Sequence, residues 1–471
     1  MRFECLDDWL AWQESLNPKE IDLGLDRVSQ VLTRAGLSSS FDCPLITVAG
    51  TNGKGSVVAS LEAMALALGL KVCSYTSPHI FRYNERIKID AQPVDDMVLC
   101  EAFERIDQAR VDHVHGDTAL TYFEFGTLAA IDLFFRQQPD MVILEVGLGG
   151  RLDAVNVMDA DVCILTSVAI DHVDWLGDDR ESIGFEKAGI FRPGKTVVCG
   201  DADPPRSVIA EAESKNCEFL LAERDYDVCH SDDDIPGEKW KLKSLFGDMA
   251  ALPQPGLSGA FQKYNAAAAI VALQVLQVKK LLDTELDLTD AAASATADIV
   301  LAGRFQKLRD RPQVFVDVAH NPQAALALSS QLKSTAAGVA RTWAIVAMLA
   351  DKDITGVLEN VRSDIDNWCF TGLDNVTRGL SALAFLRALP VDFFGRKMPV
   401  LTEQNRQDLA LNQCTMLSES VLLAERVEQA CDLVLSKAGV DDRIIIFGSF
   451  YTVAESMQYF SMNKDDAELK I

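Results

Sequence analysis

The stretch Pro44-Leu45-Ile46-Thr47-Val48-Ala49-Gly50-Thr51-Asn52-Gly53-Lys54-Gly55-Ser56 decides how this chain is read. From Pro44 to Gly50 a short β-branched run ends in glycine. From Lys54 to Leu68 apolar residues and alanines then recur at helical spacing, and Gly69 closes the segment. The order is strand, glycine-rich loop, helix. A loop in that place gathers backbone N–H groups at a helix N-terminus, where the helix dipole favours an anion. Gly50 to Ser56 is therefore a candidate phosphate loop, with Lys54 placed to reach the outer phosphates. It departs from the common Walker pattern because a glycine separates Lys54 from Ser56 and the loop is shorter, which leaves open which hydroxyl would touch a metal. The competing reading, a plain turn, is disfavoured by the strand and helix on either side.

Working outward, Val72–Tyr75, Met141–Val146, Val162–Val168 and Thr196–Cys199 are further short apolar runs, separated by helical stretches such as Thr121–Phe135. Alternating strands and helices imply a mostly parallel sheet covered on both faces. Residues 200–256 are less regular, with the acidic stretch Ser231-Asp232-Asp233-Asp234 and prolines at 236, 253 and 255, and read as strands and loops peripheral to the first core. An alanine-rich helix follows from Asn265 to Val278. A second alternating series begins near residue 312, with strands at Val314–Val318, Trp343–Met348, Trp368–Thr371 and Arg443–Phe447. The expected fold is α/β: a phosphate-loop domain over residues 1–300 and a smaller, Rossmann-like α/β domain over 301–471. Asn463 to Ile471 reads as a frayed polar tail.

Composition bounds the function. The 471 residues are long enough for two or three cores, and no apolar run approaches the roughly 20 residues of a membrane-spanning helix. The acidic start Met1-Arg2-Phe3-Glu4-Cys5-Leu6-Asp7-Asp8 lacks a secretory layout, so a cytoplasmic protein is expected. Eleven scattered cysteines without a Cys-x-x-Cys pair indicate neither zinc nor disulfides. A formal net charge of -26 argues against nucleic acid, and an anionic substrate would need a local basic pocket.

Glu145 ends the run Met141-Val142-Ile143-Leu144 and precedes Gly147-Leu148-Gly149-Gly150, which puts a carboxylate at the carboxyl edge of the sheet, where ligands of open α/β sheets bind. Mg²⁺ takes few protein ligands beside waters and phosphate oxygens, so Glu145 needs one or two helpers. Ser77 in Thr76-Ser77-Pro78-His79 and His172 in Ile170-Asp171-His172 are candidates, each just past an expected strand end. A salt-bridged strand-end carboxylate and a structural histidine are the bland alternatives. His113 and His115 lie in a polar segment and read as solvated.

Together, Gly-Thr-Asn-Gly-Lys-Gly-Ser (50–56), Ser-Pro-His (77–79), Glu-Val-Gly-Leu-Gly-Gly-Arg-Leu-Asp-Ala (145–154), Asp-His-Val-Asp-Trp-Leu-Gly (171–177) and Glu-Lys-Ala-Gly-Ile (186–190) resemble the folylpolyglutamate synthase family of the Mur ligase superfamily. The resemblance continues through Gly303-Arg304-Phe305, Asp317-Val318-Ala319-His320-Asn321-Pro322, Asp351-Lys352-Asp353 and Gly448-Ser449-Phe450, so an ordered set of motifs spans nearly the whole chain. It implies an ATP-dependent ligase that adds L-glutamate to dihydropteroate and to tetrahydrofolate, with an active site in a cleft between domains. ATP would lie on Gly50, Thr51, Asn52, Gly53, Lys54, Gly55 and Ser56, with Asn265, Arg304 and Asp317 completing the site. Ser77, Glu145 and His172 would hold Mg²⁺. Lys187 would carry a carbamate, although Glu186-Lys187 by itself reads as an exposed helical charge pair. His320 and Ser449 would lie near glutamate, and Ile21 to Arg27, with Asp26 and Arg27, together with Thr121, Leu152, Asp153 and Ala154, near the pterin-bearing substrate. On residue type alone Leu25, Leu152 and Ala154 read as packing, Asp26 and Arg27 as a surface pair, and His320 as a helix-entry residue.

The implied chemistry is activation of a carboxylate as an acyl phosphate, since hydroxide is a poor leaving group, with Lys54, Mg²⁺ and Arg304 neutralising the γ-phosphate. Glutamate's amine then attacks, with His320 orienting it or assisting proton loss. A muramoyl-type amino-acid ligase is one rival reading, and a synthase that only lengthens the glutamate tail is another. A nucleotide switch is a third: Asn463-Lys464-Asp465-Asp466 resembles a guanine-reading signature but follows no expected strand. An ATP-binding scaffold without catalysis is a fourth. The expected partners are small molecules, and the expected state is a monomer, because no exposed apolar repeat demands a partner.

Overall fold

Alternate residues of the β-branched runs face opposite ways, so a run that is apolar throughout must be covered on both sides. That is how the first sheet is built. It contains β1 (Leu45–Ala49), β2 (Val72–Tyr75), β3 (Ile87–Ile89), β4 (Gln92–Pro93), β5 (Met141–Glu145), β6 (Val162–Leu165), β7 (Thr196–Cys199) and β8 (Glu218–Leu221). They lie in the order β4-β3-β2-β5-β1-β6-β7-β8. All pairs from β2 to β8 are parallel, and β3 and β4 add an antiparallel edge. Leu45, Ala49, Val142, Leu144, Cys163 and Leu165 enter one core with the helix Tyr122–Gln137. Ile46, Val48, Ile143, Val162 and Ile164 enter the other, with the helices Lys54–Ala67 and Phe261–Val278.

The structure, a computed structural model, describes residues 1–462 except 20, 115, 231–238, 284, 374–375, 377, 390–392, 395–401, 403 and 406–413. His115, the acidic stretch at 231–234 and the tail from Asn463, with its guanine-type signature, therefore lie outside the described residues. The chain forms two compact units. One comprises Met1–Ala169, Val173–Gly256 and Ala260–Val300, the other Ile170–His172, Leu257–Gly259 and Leu301–Ile471.

Residues 200–256 are more ordered than the irregular sequence suggests. They supply the helix Arg206–Ser214, β8, and a separate antiparallel sheet of β9 (Tyr226–His230), β10 (Lys239–Ser244) and β11 (Met249–Pro253). The alanine-rich helix starts at Phe261, a turn before Asn265, and its Ala266 to Ala269 share a core with Val57, Val58 and Leu61 of the helix after β1.

The second unit carries β12 (Gln306–Asp310), β13 (Gln313–Asp317), β14 (Thr342–Val346), β15 (Asn367–Thr371), β16 (Thr415–Ser418), β17 (Val421–Ala424) and β18 (Arg443–Phe447), ordered β12-β13-β18-β14-β15-β17-β16. The five inner strands are parallel and the edge strands β12 and β16 antiparallel. No helix among the described residues is long and apolar enough to cross a membrane.

Candidate active site

In the first sheet β1 lies between β5 and β6, so the loop after β1 opens at the point where the strand order turns back, the usual ligand position of such sheets. The two neighbours flank that loop. Val48 pairs with Glu145 at the end of β5, and Ala49 with Leu165 at the end of β6. Beyond β6 the chain holds the loop in place: Thr51 N–H donates to Ser167 O at 2.8 Å, Asn52 N–H to Ser167 Oγ at 3.1 Å, and Thr166 Oγ1 donates to Asn52 O at 2.7 Å. Thr51's hydroxyl donates to Ala169 O and accepts from Ala169 N–H, so it is committed to the loop's own frame. Ser56 is buried in the first turn of the following helix.

Gly53, at φ 94, begins that helix, which has no acidic residue in its first turn and no side-chain cap. A helix start of this kind favours an anion. A Cβ at Gly53 would lie 2.6 Å from Asn265 Oδ1, which shows how closely the Asn265 side chain approaches the loop. Lys54 Nζ donates to Gly50 O at 3.0 Å, and Lys187 Nζ reaches the same oxygen at 3.1 Å. Two ammonium groups on one loop carbonyl suit a site that receives phosphate. Lys187 ends the helix Arg180–Lys187 and is only 5% exposed, so the exposed charge pair expected from sequence is not formed; Glu186 instead lies beside Arg151.

Glu145 is 4% exposed and accepts the N–H of Ser77 at 3.2 Å, which places the carboxylate and the serine together. Among the described residues no three His, Cys, Asp or Glu side chains form a metal cage. A carboxylate beside a hydroxyl-bearing residue, with most positions left to water and phosphate, is a donor set that fits Mg²⁺. The loop after Ser77 is held by residues that sequence reasoning missed. Glu85 accepts the N–H groups of Ile80, Phe81 and Arg82, and Arg86 Nε donates to His79 Nδ1 at 2.8 Å. Burial, reinforced by the Arg86 charge, pushes His79 down to about 4, so its ring is a neutral acceptor.

The residues expected near the pterin-bearing substrate also belong to the first unit. Asp26 is exposed, and Arg27 pairs with Asp22 and Glu124 rather than with Asp26. Thr121 caps the helix Tyr122–Gln137 in a reciprocal box with Glu124. Leu152 is exposed, and its carbonyl accepts Gly24 N–H, which ties the two segments together. Ala154 is buried. Asp153 is pushed up to about 6 by burial, against the pull of the Leu148, Val155 and Gly147 N–H groups and the Lys54 charge. His113 is exposed.

Residues 170–172 belong to the second unit, where Asp171 gathers several partners. It accepts from Lys352 Nζ at 2.6 Å, His172 N–H at 2.8 Å and Asn321 Nδ2 at 3.2 Å, and faces His320 Nε2 at 3.3 Å. Burial would raise Asp171, but the His320 hydrogen bond and the His320, His172 and Lys352 charges outweigh it and hold it well below the usual carboxylate range. His320 Nδ1 lies 2.7 Å from Val318 O, so acceptors face both ring nitrogens. Asn321, not His320, caps the helix Pro322–Ser334. Arg304 lies over the Phe450 ring at 5.4 Å. Asp317 accepts Phe305 and Ala319 N–H; burial raises it, with Arg304 opposing. Ser449 Oγ accepts Thr452 N–H as the cap of the helix Phe450–Met462. Asp171 and Lys352 stood inside quoted motifs, which was the available signal.

A phosphate loop at the switch point of one parallel sheet, followed by a second parallel α/β unit, defines a Mur-type ligase. The Mur ligase middle domain matches residues 48–273, and the glutamate ligase domain of Mur ligases matches residues 303–450. The chain is 39% identical over 454 residues to the dihydrofolate synthase/folylpolyglutamate synthase of Escherichia coli (strain K12), covering 96% of this chain and 95% of that one. The fold superposes on E. coli FolC in complex with DHPP and ADP with a TM-score of 0.83, at 36% identity, covering 98% of this chain and 99% of that one. It likewise matches the bifunctional enzyme of Yersinia pestis complexed with AMPPNP and Mn ion, with a TM-score of 0.80 at 36% identity and coverage of 97% and 98%. The chain belongs to the dihydrofolate synthase/folylpolyglutamate synthase family, and it is an ATP-dependent carboxylate–amine ligase.

Proposed function

We propose that this ligase adds L-glutamate to dihydropteroate, forming dihydrofolate, and to tetrahydrofolate, forming folylpolyglutamates. The observation that carries this is likeness over nearly the whole chain to an enzyme named for both activities. ATP takes the loop Gly50 to Ser56, with Asn265 beside Gly53, and Arg304 and Asp317 are its further binding residues. Lys54 leaves the Gly50 carbonyl for the γ-phosphate, whose transfer to the substrate carboxylate needs mainly positioning and neutralised charge. Ser77, Glu145 and His172 would hold Mg²⁺, which would neutralise phosphate charge there.

Lys187 adds CO₂ through its neutral amine and releases a proton, which turns a buried cation beside Gly50 O into an anionic ligand. The α-amine of glutamate then attacks the acyl carbon and phosphate leaves. His320, held between Val318 O and Asp171, lies on the glutamate side and orients that substrate or assists its proton loss, and Ser449 shapes the loop behind it. Asp26, Arg27, Thr121, Leu152, Asp153 and Ala154 form the pterin side. The same reading makes the protein a cytoplasmic monomer that acts on small molecules and not on nucleic acid, in keeping with its net charge of -26.

The test is phosphate release from ATP with glutamate and either dihydropteroate or tetrahydrofolate, with products identified by mass. Turnover with both is expected. Turnover with tetrahydrofolate alone leaves a folylpolyglutamate synthase, and turnover with neither removes the folate assignment.

A further inference from the structure

The segment Ser77 to Arg82 follows β2 without regular secondary structure, yet its amides are taken up one after another by a single side chain. Glu85 Oε2 accepts Ile80 N–H at 2.7 Å, while Oε1 accepts Phe81 N–H at 2.8 Å and Arg82 N–H at 2.7 Å. The next residue holds the same segment just before its start and within it: Arg86 O accepts Thr76 N–H at 2.8 Å, and Arg86 Nε donates to His79 Nδ1. The clamp is itself fixed. Glu85 and Arg86 sit on the short turn Tyr83–Arg86, whose Tyr83 is buried in the first core and whose Asn84 donates to Val94 O and Asp96. Arg86 also lies over the rings of Tyr83 and Tyr122. The segment begins at Ser77, whose N–H meets Glu145.

A loop residue that offers a hydroxyl to a cation must be held to within a fraction of an ångström, and an irregular loop cannot do this unaided. A charged acceptor on three amides and a planar guanidinium on a ring nitrogen supply that restraint. We infer that Glu85 and Arg86 are positioning residues that set the Ser77 hydroxyl beside Glu145 and thereby fix the affinity of the divalent-cation site. The inference rests on the reading of Ser77 as a metal ligand. Both act through the Ser77–Arg82 loop.

The full-length enzyme is titrated with Mn²⁺ in the presence of AMPPNP, with bound Mn²⁺ read by electron paramagnetic resonance, for Ser77→Ala, Glu85→Gln, Arg86→Lys and Ser77→Ala/Glu85→Gln. Glu85→Gln keeps the shape but can accept through one oxygen only. It is expected to weaken Mn²⁺ roughly 10-fold or more, the usual effect of losing an outer-shell partner, with metal-free AMPPNP affinity and the thermal midpoint little changed. In the Ser77→Ala background the same substitution is expected to have no further effect, since a residue that acts through Ser77 has nothing left to position. Arg86→Lys, which cannot reproduce the Nε geometry, should act in the same direction.

If Ser77→Ala weakens Mn²⁺ but Glu85→Gln and Arg86→Lys do not, the inference fails while the metal reading stands. If the Glu85→Gln effect persists undiminished in the double variant, Glu85 acts by another route and the inference also fails. If Ser77→Ala leaves Mn²⁺ affinity unchanged, the metal reading falls and the inference with it. Should Glu85→Gln prove unstable, Arg86→Lys alone and combined with Ser77→Ala gives the same comparison.

Discussion

Replacing Gly53 by alanine tests how the phosphate loop is built. Gly53 sits at φ 94, a conformation that costs an L-residue roughly 1–2 kcal/mol. The added Cβ would also stand 2.6 Å from Asn265 Oδ1, where ordinary contact begins at 3.4 Å, so the amide must retreat. Retreat breaks the Asn265 Nδ2 bond to Gln262 Oε1, worth about 1 kcal/mol. If the free loop relaxes and nucleotide must restore it, about 2–3 kcal/mol falls on binding, which is a roughly 30- to 150-fold weaker ATP affinity. Calorimetric titration of ATP into the wild type, Gly53→Ala, Asn265→Ala and the double variant separates the contributions. With Asn265 already truncated the Gly53→Ala step should shrink to its backbone share, about 1–2 kcal/mol, or roughly 5- to 30-fold. An equal step in both backgrounds would show that the clash plays no part, and no loss in either would refute the account of the loop.

Three further outcomes are expected. Lys187→Ala and Lys187→Arg should both lose turnover while keeping a folded thermal transition, and acetate or formate should partly restore Lys187→Ala; an active Lys187→Arg would end the carbamate reading. Asp171→Asn strips the counter-charge from Lys352, only 6% exposed, and removing one partner of a buried pair costs about 3–5 kcal/mol in urea unfolding at pH 7. Because Asp171 is held below its unfolded value, its stabilisation is present above about pH 4 and lost as pH falls, so wild type and variant should converge in acid and not in base. Asp153 has the opposite sign. Raised to about 6 against about 3.9 unfolded, it favours the fold most below about pH 4 and loses that contribution as pH rises through about 6, a span on the order of 3 kcal/mol. The gap in urea midpoint between wild type and Asp153→Asn should therefore move in favour of the wild type on going from pH 7 to pH 4, and a pH-independent gap would contradict the burial argument.

The inner strands were legible because burial on both faces leaves a continuous apolar run, as in Met141-Val142-Ile143-Leu144. The edges were not. Ile87-Lys88-Ile89 and Gln92-Pro93 are too short to show a period, and their place in the sheet is set by pairing with β2 rather than by their own pattern. The helix Arg206–Ser214 buries only Val208 and Ala212, one i,i+4 pair, which explains why residues 200–256 read as strands and loops. The limit in the site is similar. Gly53, Glu145 and Ser77 could be placed because a strand end positions whatever follows it. Asp171 meets Asn321 across 150 residues and Lys352 across 181, and no local pattern reports such a pairing.

Lys187 shows where a local pattern did carry the information and was outweighed. Beside Glu186 it looks like half of an exposed ion pair, but an ion pair on a helix surface is worth only a few tenths of a kcal/mol and does not decide which face turns inward. The apolar stripe decides that. In the helix Arg180–Lys187 the buried positions are Ile183, Gly184 and Lys187, and Lys187 follows Ile183 by four residues, one turn along the same face. A lysine on the inward stripe of an eight-residue helix has its ammonium drawn out of water, which is costly unless polar groups await it. The Gly50 carbonyl is one such group. The i,i+4 relation to Ile183 carries Lys187 to the inward face of this helix, where its ammonium meets the Gly50 carbonyl.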